Sequence, residues 1–172
     1  MKKPIIIFGS SRSNGNTFKA VELVLNKIHE AEFINLADYN VSDFDYEHKN
    51  KNDDFMKLIG NLLNYKTVIL ATPVYWYTMS ATMKRFVDRL SDLLSTDKDI
   101  GKLLRKKNLA IVSSYSIHPE GKDGFEQIFI NTAKYLDMNY LGCYFHYSGD
   151  DEKIIANNSK LLAKFVGGLV HK

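Results

Sequence analysis

Residues 4–17 read PIIIFGSSRSNGNT, and the fold prediction starts from this stretch. Its first five residues form a short apolar run with branched side chains, which is typical of a strand covered on both faces. A polar loop follows, and residues 21–28 then place apolar side chains at i, i+3, i+4 and i+7, the period of an amphipathic helix. A buried strand joined by a polar loop to a helix is typical of the start of an α/β protein.

The same alternation continues along the rest of the chain. Further strands are predicted at residues 32–36, 67–72, 108–114 and 140–147. Helical apolar stripes recur at residues 55–63, 83–94, 125–136 and 162–169. Five strands alternating with five helices predict a doubly wound α/β fold, a parallel sheet in the order 2-1-3-4-5 with helices on both faces. In that order a ligand binds beyond the carboxyl ends of the strands, where the loops after strands 1, 3 and 4 meet.

Composition limits the class of protein. The 172 residues, 45% of them hydrophobic, predict one folded domain over residues 1–172. The 23 basic and 20 acidic residues give a net charge of +3, which is too balanced for a protein dedicated to nucleic acid. The single cysteine, Cys143, excludes an internal disulfide and a multi-cysteine metal site built from this chain alone. The apolar run at residues 4–8 is too short for a secretory or membrane segment, so we expect a cytoplasmic protein with no membrane partner.

The loop after strand 1, residues 9–17, has the chemistry of a phosphate site. It holds three serines, two asparagines, a threonine and Arg12, and it leads directly into the first helix. A helix start attracts phosphate through free backbone N–H groups and the helix dipole, and arginine adds a charge-assisted hydrogen bond. We expect Gly15 to adopt a positive φ, and Asn16 or Thr17 to cap the helix. The alternative is a polar turn that only caps its helix.

Other phosphate motifs are absent from this loop. It lacks the Gly-Lys-Ser/Thr ending of the Walker motif and the G-x-G-x-x-G dinucleotide fingerprint. It also lacks a nucleophilic cysteine, since Cys143 falls in the fifth predicted strand. The loop therefore fits a terminal monophosphate that is bound and not cleaved.

The loop after strand 3, residues 72–80, reads TPVYWYTMS and contains three consecutive aromatic residues. Loops lie at the surface, so these rings need a flat ligand or a partner chain to cover them. Pro73 stiffens the turn, and Ser80 is placed to cap the next helix. A homodimer interface is the alternative role for Tyr75, Trp76 and Tyr77, and one ring could face the ligand while its neighbour faces a partner.

Two segments, GSSRSNGNT at residues 9–17 and TPVYWYTMSATMKRFVDR at residues 72–89, together resemble the signatures of the flavodoxin-like NADPH-dependent FMN reductases. That family includes quinone reductases, azo-dye reductases and iron–sulfur flavoproteins. The resemblance implies a flavodoxin-like fold, FMN as cofactor, NADPH or NADH as co-substrate, and assembly as a homodimer or homotetramer. Residues 36–54 contain no cysteine, so no iron–sulfur cluster and no metal is expected. Ala81 stands where many members have glycine.

The resemblance also implies which residues bind FMN. Around the phosphate it places Ser10, Arg12, Asn14, Gly15, Asn16 and Thr17. Along the isoalloxazine ring and ribityl chain it places Pro73, Val74, Tyr75 and Trp76. The topology adds the end of strand 4, with Ser113, Ser114 and Tyr115 as the expected contacts. No residue is assigned a catalytic role, and a lone loop histidine such as His118 is more often solvated.

Two charged segments are given no role in FMN binding. Residues 38–54 carry six acids against two lysines and follow strand 2; they read as a solvated loop, with a mobile flap over the site as the other interpretation. Residues 102–107, KLLRKK, precede strand 4 and so fall at the end of the sheet opposite the ligand.

The expected activity is transfer of hydride from a reduced nicotinamide through bound FMN to a small acceptor such as a quinone, an azo compound or free flavin. A flavodoxin-type electron carrier without nicotinamide turnover is the alternative, although such carriers are typically acidic and this chain is slightly basic. A flavin-free module that binds another phosphorylated ligand is a third interpretation.

Overall fold

The computed structural model describes residues 3–50, 52–115, 121–149 and 151–170. In these residues five parallel strands form one sheet in the order β2-β1-β3-β4-β5, which confirms the predicted fold. Each strand lies within one residue of its predicted bounds. The strands are β1 (Ile5–Phe8), β2 (Glu32–Asn35), β3 (Thr67–Ala71), β4 (Asn108–Tyr115) and β5 (Asn139–Tyr147).

Helices cover both faces of the sheet. They are α1 (Asn16–Ile28), α2 (Phe55–Leu62), α3 (Ala81–Asp88), α4 (Asp92–Ser95), α5 (Lys98–Lys102), α6 (Lys122–Tyr135) and α7 (Glu152–Val170). Ile6 and Phe8 belong to the apolar core shared with α1 and α7, whereas Ile5 and Ile7 belong to the core shared with α2, α3 and α6. Burial of alternate side chains on opposite faces explains why this strand is apolar throughout. None of the helices described is long and apolar enough to cross a membrane.

The helical stripe predicted over residues 83–94 is broken in the structure. Helix α3 ends at Asp88, a 3₁₀ turn spans Arg89–Ser91, and α4 begins at Asp92. The tighter turn changes which side chains face inward, because a 3₁₀ helix has three residues per turn instead of 3.6. Leu93 is therefore buried, and Leu94, which the stripe placed in the core, is 40% exposed. The short helix α5 was not predicted.

The basic run at residues 102–107 has a structural role at the end of the sheet opposite the predicted ligand. The Lys107 ammonium donates hydrogen bonds to the carbonyl oxygens of Leu63 and Tyr65, just beyond the end of α2. A cation at a helix C-terminus is favourable because the last carbonyl groups have no partner within the helix. Burial lowers the pKa of Lys107 from its usual value, and the charge of Lys66 lowers it further.

The chain's only cysteine, Cys143, lies in β5 and packs partly buried against the core. Burial raises the pKa of the Cys143 thiol well above its usual range, and the carboxylate of Glu126 raises it further. The thiol is therefore protonated at neutral pH.

Candidate functional site

A cavity of about 390 Å³ lies at the carboxyl ends of β1, β3, β4 and β5. This is the edge of the sheet at which doubly wound folds bind ligands. The structure brings ten of the predicted contacts to its walls, together with a residue that sequence reasoning missed, Ser148. The lining residues are Ser10, Arg12, Gly15, Asn16, Thr17, Pro73, Val74, Tyr75, Ser114, Tyr115 and Ser148.

Helix α1 begins at this cavity without a side-chain cap. Gly15 is the N-cap residue, and among the described residues no side chain caps the backbone N–H groups of the first turn. The prediction that Asn16 or Thr17 caps the helix is wrong, because both lie inside the helix and bond to other loops. Gly15 has φ −85°, so the predicted positive φ is wrong as well. An uncapped helix start leaves backbone N–H groups and the positive end of the dipole available to an anion.

Pairs of polar side chains join the loops that form the cavity. The Thr17 and Ser114 hydroxyls lie 2.8 Å apart, and the Asn16 amide donates to the Ser148 hydroxyl at 2.7 Å. At the mouth, the hydroxyl of Ser11 lies 2.7 Å from that of Tyr75. These bonds connect the start of α1 to the ends of β3, β4 and β5.

Arg12 supplies the positive charge at the cavity. Its side chain is exposed, and among the residues described it forms no ion pair. The guanidinium lies beside Gly15, since a Cβ placed at Gly15 would be 3.5 Å from Arg12 Nε. None of the residues lining the cavity is acidic. The charge of Arg12 is therefore available to a negatively charged ligand.

Ser80 fastens the loop after β3 to the end of β1. Its hydroxyl donates to the carbonyl oxygen of Gly9 at 2.7 Å and accepts from the Met83 backbone N–H at 3.2 Å, which confirms the predicted cap of α3. The Ser80 backbone N–H donates to the Thr72 hydroxyl at 3.0 Å. Gly9 permits this close approach, because a Cβ there would lie 3.1 Å from Met83. The two predicted signature loops are thus held together by buried hydrogen bonds.

The aromatic residues after β3 form a tight turn. Tyr75 and Thr78 exchange backbone hydrogen bonds of 2.8 and 3.0 Å, with Trp76 (φ 49°) and Tyr77 (φ 64°) between them. Two consecutive positive φ angles are the requirement of a type I′ turn, which usually uses asparagine and glycine. Large side chains adopt this conformation at a cost in backbone strain. The turn leaves Tyr75 on the cavity wall, whereas Trp76 is 93% exposed and is not among the lining residues.

Three predicted contacts lie outside the cavity lining. Trp76 occupies the tip of the turn, and Asn14 is exposed in the loop before α1. Ser113 is fully buried, and its hydroxyl donates to the Thr72 carbonyl oxygen at 2.7 Å, so it holds β4 against the end of β3. His118 lies outside the residues that the structure describes.

A second cluster of charges, which sequence reasoning missed, lies between the acidic segment 38–54 and α4. At its centre is Arg89, whose side chain is 2% exposed. Its Nε donates to Asp92 Oδ2 at 2.7 Å, and a terminal nitrogen forms an ion pair with Asp53. The guanidinium also stacks over the ring of Phe55 at 4.7 Å. We call Arg89, Asp53 and Asp92 the Arg89 centre.

Asp53 is ionised within this centre. Burial alone would raise the pKa of Asp53, but the hydrogen bond from Arg89 and those from the backbone N–H groups of Ser42 and Phe55 outweigh burial and lower it. Burial by itself would lower the pKa of Arg89. The hydrogen bonds to the carboxylates of Asp53 and Asp92 outweigh burial, so the pKa of Arg89 is raised. The expectation of a solvated segment is wrong for Asp53, whose side chain is 4% exposed. The segment is instead anchored to the 3₁₀ turn and to α4, where His48 Nδ1 lies 2.9 Å from Asp92.

Comparison with known proteins identifies the family. The sequence matches the NADPH-dependent FMN reductase family over residues 3–152. It is 29% identical over 153 residues to YwqN of Bacillus subtilis (strain 168), provisionally named an NAD(P)H-dependent FMN-containing oxidoreductase. That match covers 81% of this chain and 82% of YwqN.

Solved structures share the fold. The Trp repressor binding protein from Bacillus subtilis has a TM-score of 0.72 at 24% identity, with 95% of this chain and 97% of that chain covered. The FMN-dependent NADH-azoreductase from Bacillus anthracis, solved in complex with FMN, has a TM-score of 0.73 at 12% identity, with coverage of 99% and 100%. An NADPH-quinone reductase from P. pentosaceus has a TM-score of 0.66 at 18% identity, with 99% of each chain covered.

Because the family match spans most of its length, the chain belongs to the NADPH-dependent FMN reductase family. This confirms the resemblance drawn from the two signature loops, with FMN as the cofactor and NAD(P)H-dependent oxidoreduction as the activity. An enzyme is thereby favoured over an electron carrier without nicotinamide turnover.

Proposed function

As a member of this family, the chain has a defined cofactor, and we propose that it binds FMN in the 390 Å³ cavity. The substrates that we propose are NADPH or NADH as donor and a small acceptor, a quinone, an azo compound or free flavin. Structurally similar proteins include an NADPH-quinone reductase and an FMN-dependent NADH-azoreductase. The proposal treats residues 1–172 as one FMN-binding domain.

The observation that carries the proposal is the match between the polar groups of the cavity and FMN phosphate. The uncapped start of α1 offers backbone N–H groups, and the lining contains no carboxylate. Arg12 offers a guanidinium that forms no ion pair with the residues that the structure describes. Such a set suits a dianion that is held by hydrogen bonds and one charge. The residues present therefore fit the phosphate of FMN.

In this proposal the side chains of the protein bind FMN and orient it. Arg12, Asn16 and Thr17 would hold the phosphate at the start of α1. Val74, Tyr75 and Tyr115 would face the flat ring, and the buried bonds of Ser80 keep their loop in position. FMN held there would supply the redox chemistry, hydride transfer from the nicotinamide and electron transfer to the acceptor. We assign no side chain as nucleophile or general base.

We further propose a homodimer or homotetramer that acts in the cytoplasm. Trp76 is 93% exposed and Tyr77 63% exposed, and both types of residue are enriched at protein interfaces. The lone free thiol of Cys143 suits a reducing compartment. Sedimentation equilibrium of the wild type and of Trp76→Ala tests the assembly, since loss of the ring should shift the wild-type assembly toward monomer.

The visible absorption spectrum of the purified protein, loaded with FMN and separated from free flavin, tests the activity. We expect a retained flavin spectrum that bleaches when NADPH or NADH is added without air and returns when a quinone is added. A protein that retains no flavin would contradict the FMN site. A flavin that neither nicotinamide reduces would instead identify an electron carrier.

A further inference from the structure

Ser148 follows the last residue of β5 and is fixed at two points. Its backbone N–H donates to the carbonyl oxygen of Tyr115, at the end of β4, at 3.1 Å. Its hydroxyl accepts from the side-chain amide of Asn16, in the first turn of α1, at 2.7 Å. It also lines the cavity. A side chain held in this way presents its hydroxyl to a ligand without first losing much rotamer freedom.

The Asn16 and Ser148 side chains carry more hydrogen-bonding protons than the bond between them uses. The Asn16 amide carries two protons and the Ser148 hydroxyl one, and a single proton serves the bond between them. Among the residues described, neither side chain has another hydrogen-bond partner. Two protons therefore remain, and this count is the same whichever way the amide is turned.

The two remaining protons of Asn16 and Ser148 lie at a cavity whose other groups favour a negatively charged ligand. The same cavity receives the start of α1 and Arg12, and no carboxylate on its walls can accept the protons. A ligand group rich in acceptor oxygens would satisfy them, and a phosphate is such a group. The neighbouring pair of Thr17 and Ser114 shares one of its two hydroxyl protons and leaves one as well.

We infer that Ser148, together with Asn16, selects for the phosphate of the flavin and so distinguishes FMN from riboflavin. The inference rests on the proposed FMN site and adds a fourth loop to it, since the predicted contacts follow β1, β3 and β4 only. Ser148 determines ligand specificity because its hydroxyl hydrogen-bonds to the phosphate and not to the isoalloxazine ring.

Binding of FMN and of riboflavin to wild type and Ser148→Ala, followed by quenching of flavin fluorescence, tests the inference. We expect the dissociation constant for FMN to rise about tenfold in Ser148→Ala, the scale of one hydrogen bond to a charged group. The constant for riboflavin should stay unchanged, and Ser148→Thr should retain the preference for FMN. Ser159→Ala is the matched control, because Ser159 lies on α7 outside this cavity and donates to the Ile155 carbonyl oxygen.

Each other outcome has a distinct meaning. Equal weakening of FMN and riboflavin binding would show that Ser148 only maintains the shape of the cavity, and would overturn the inference. Unchanged binding of FMN would overturn it as well. If Ser148→Ala fails to fold, Ser148→Cys keeps the side-chain shape, weakens the donor and is expected to show the same selective loss. A wild type that binds no FMN would refute the proposed function itself.

Discussion

Arg12 and Arg89 have opposite surroundings. Arg89 is buried and its charge is balanced by two carboxylates, Asp53 and Asp92. Arg12 is exposed at a cavity without acidic residues and forms no ion pair within the described part of the chain. Removing one member of a buried ion pair is strongly destabilising, because it leaves an uncompensated buried charge. An exposed cation beside uncapped backbone N–H groups is instead available to a ligand. From these partners we expect a structural role for Arg89 and a ligand-binding role for Arg12.

The largest effect is expected from Arg89→Ala. It removes the guanidinium from two largely buried carboxylates, Asp53 and Asp92. Asp53 keeps its backbone N–H donors and Asp92 keeps its contact with His48, but loss of the buried positive charge should still lower the free energy of unfolding by about 3–5 kcal/mol. Urea unfolding monitored by circular dichroism measures it. Arg85→Ala on α3 is the matched control, because the Arg85 side chain is 45% exposed and pairs with the exposed Asp43, so its loss should be about 0.5 kcal/mol or less. A loss below about 1 kcal/mol in Arg89→Ala would contradict the structural role.

A smaller effect, on binding and not on folding, is expected from Arg12→Ala. Loss of a charge-assisted hydrogen bond to phosphate should weaken FMN binding by about 1.5–3 kcal/mol. The free energy of unfolding without ligand should change by no more than about 0.5 kcal/mol. Isothermal titration with FMN measures the affinity. Lys19→Ala removes a nearby charge that does not line the cavity and should have less effect; unchanged affinity in Arg12→Ala would remove Arg12 from the phosphate site.

The smallest effect is expected when the pH is lowered, which should reduce the contribution of Asp53 to the free energy of unfolding. The pKa of Asp53 is lower in the folded protein than the ordinary value of an aspartate, so its contribution to stability is present at neutral pH. That contribution is lost as the pH falls below about 4 and Asp53 becomes protonated. The difference in unfolding free energy between wild type and Asp53→Asn should therefore shrink from pH 7 to pH 3.5. A difference that is independent of pH would show that the Asp53 charge does not stabilise the fold.

The two arginines also show what could be predicted from the sequence. Arg12 stands in a loop whose composition is itself the signal, since serine, asparagine and glycine before a helix predict an anion site. Arg89 lies within an amphipathic stripe, where a charged residue normally faces solvent, and Asp53 comes from a segment 36 residues earlier. The burial of Arg89 depends on the 3₁₀ turn at Arg89–Ser91 and on tertiary packing. Neither of these can be recognised from the neighbouring sequence.

Ser148 was missed for a related reason. It is a single serine before Gly149, with no pattern around it. The available signal was topological, because the rule that placed the ends of β1, β3 and β4 at one site applies equally to the end of β5. The strand order and the two signature loops were predictable because alternation and local composition determine them; the hydrogen bonds between loops required the folded chain.

Cys143 has one consequence for the biochemistry of the protein. A thiolate is the form of cysteine that peroxides oxidise and that electrophiles alkylate, and the raised pKa keeps this sulfur as the neutral thiol. Since no other cysteine exists in the sequence, we expect the folded chain to react slowly with thiol-directed reagents.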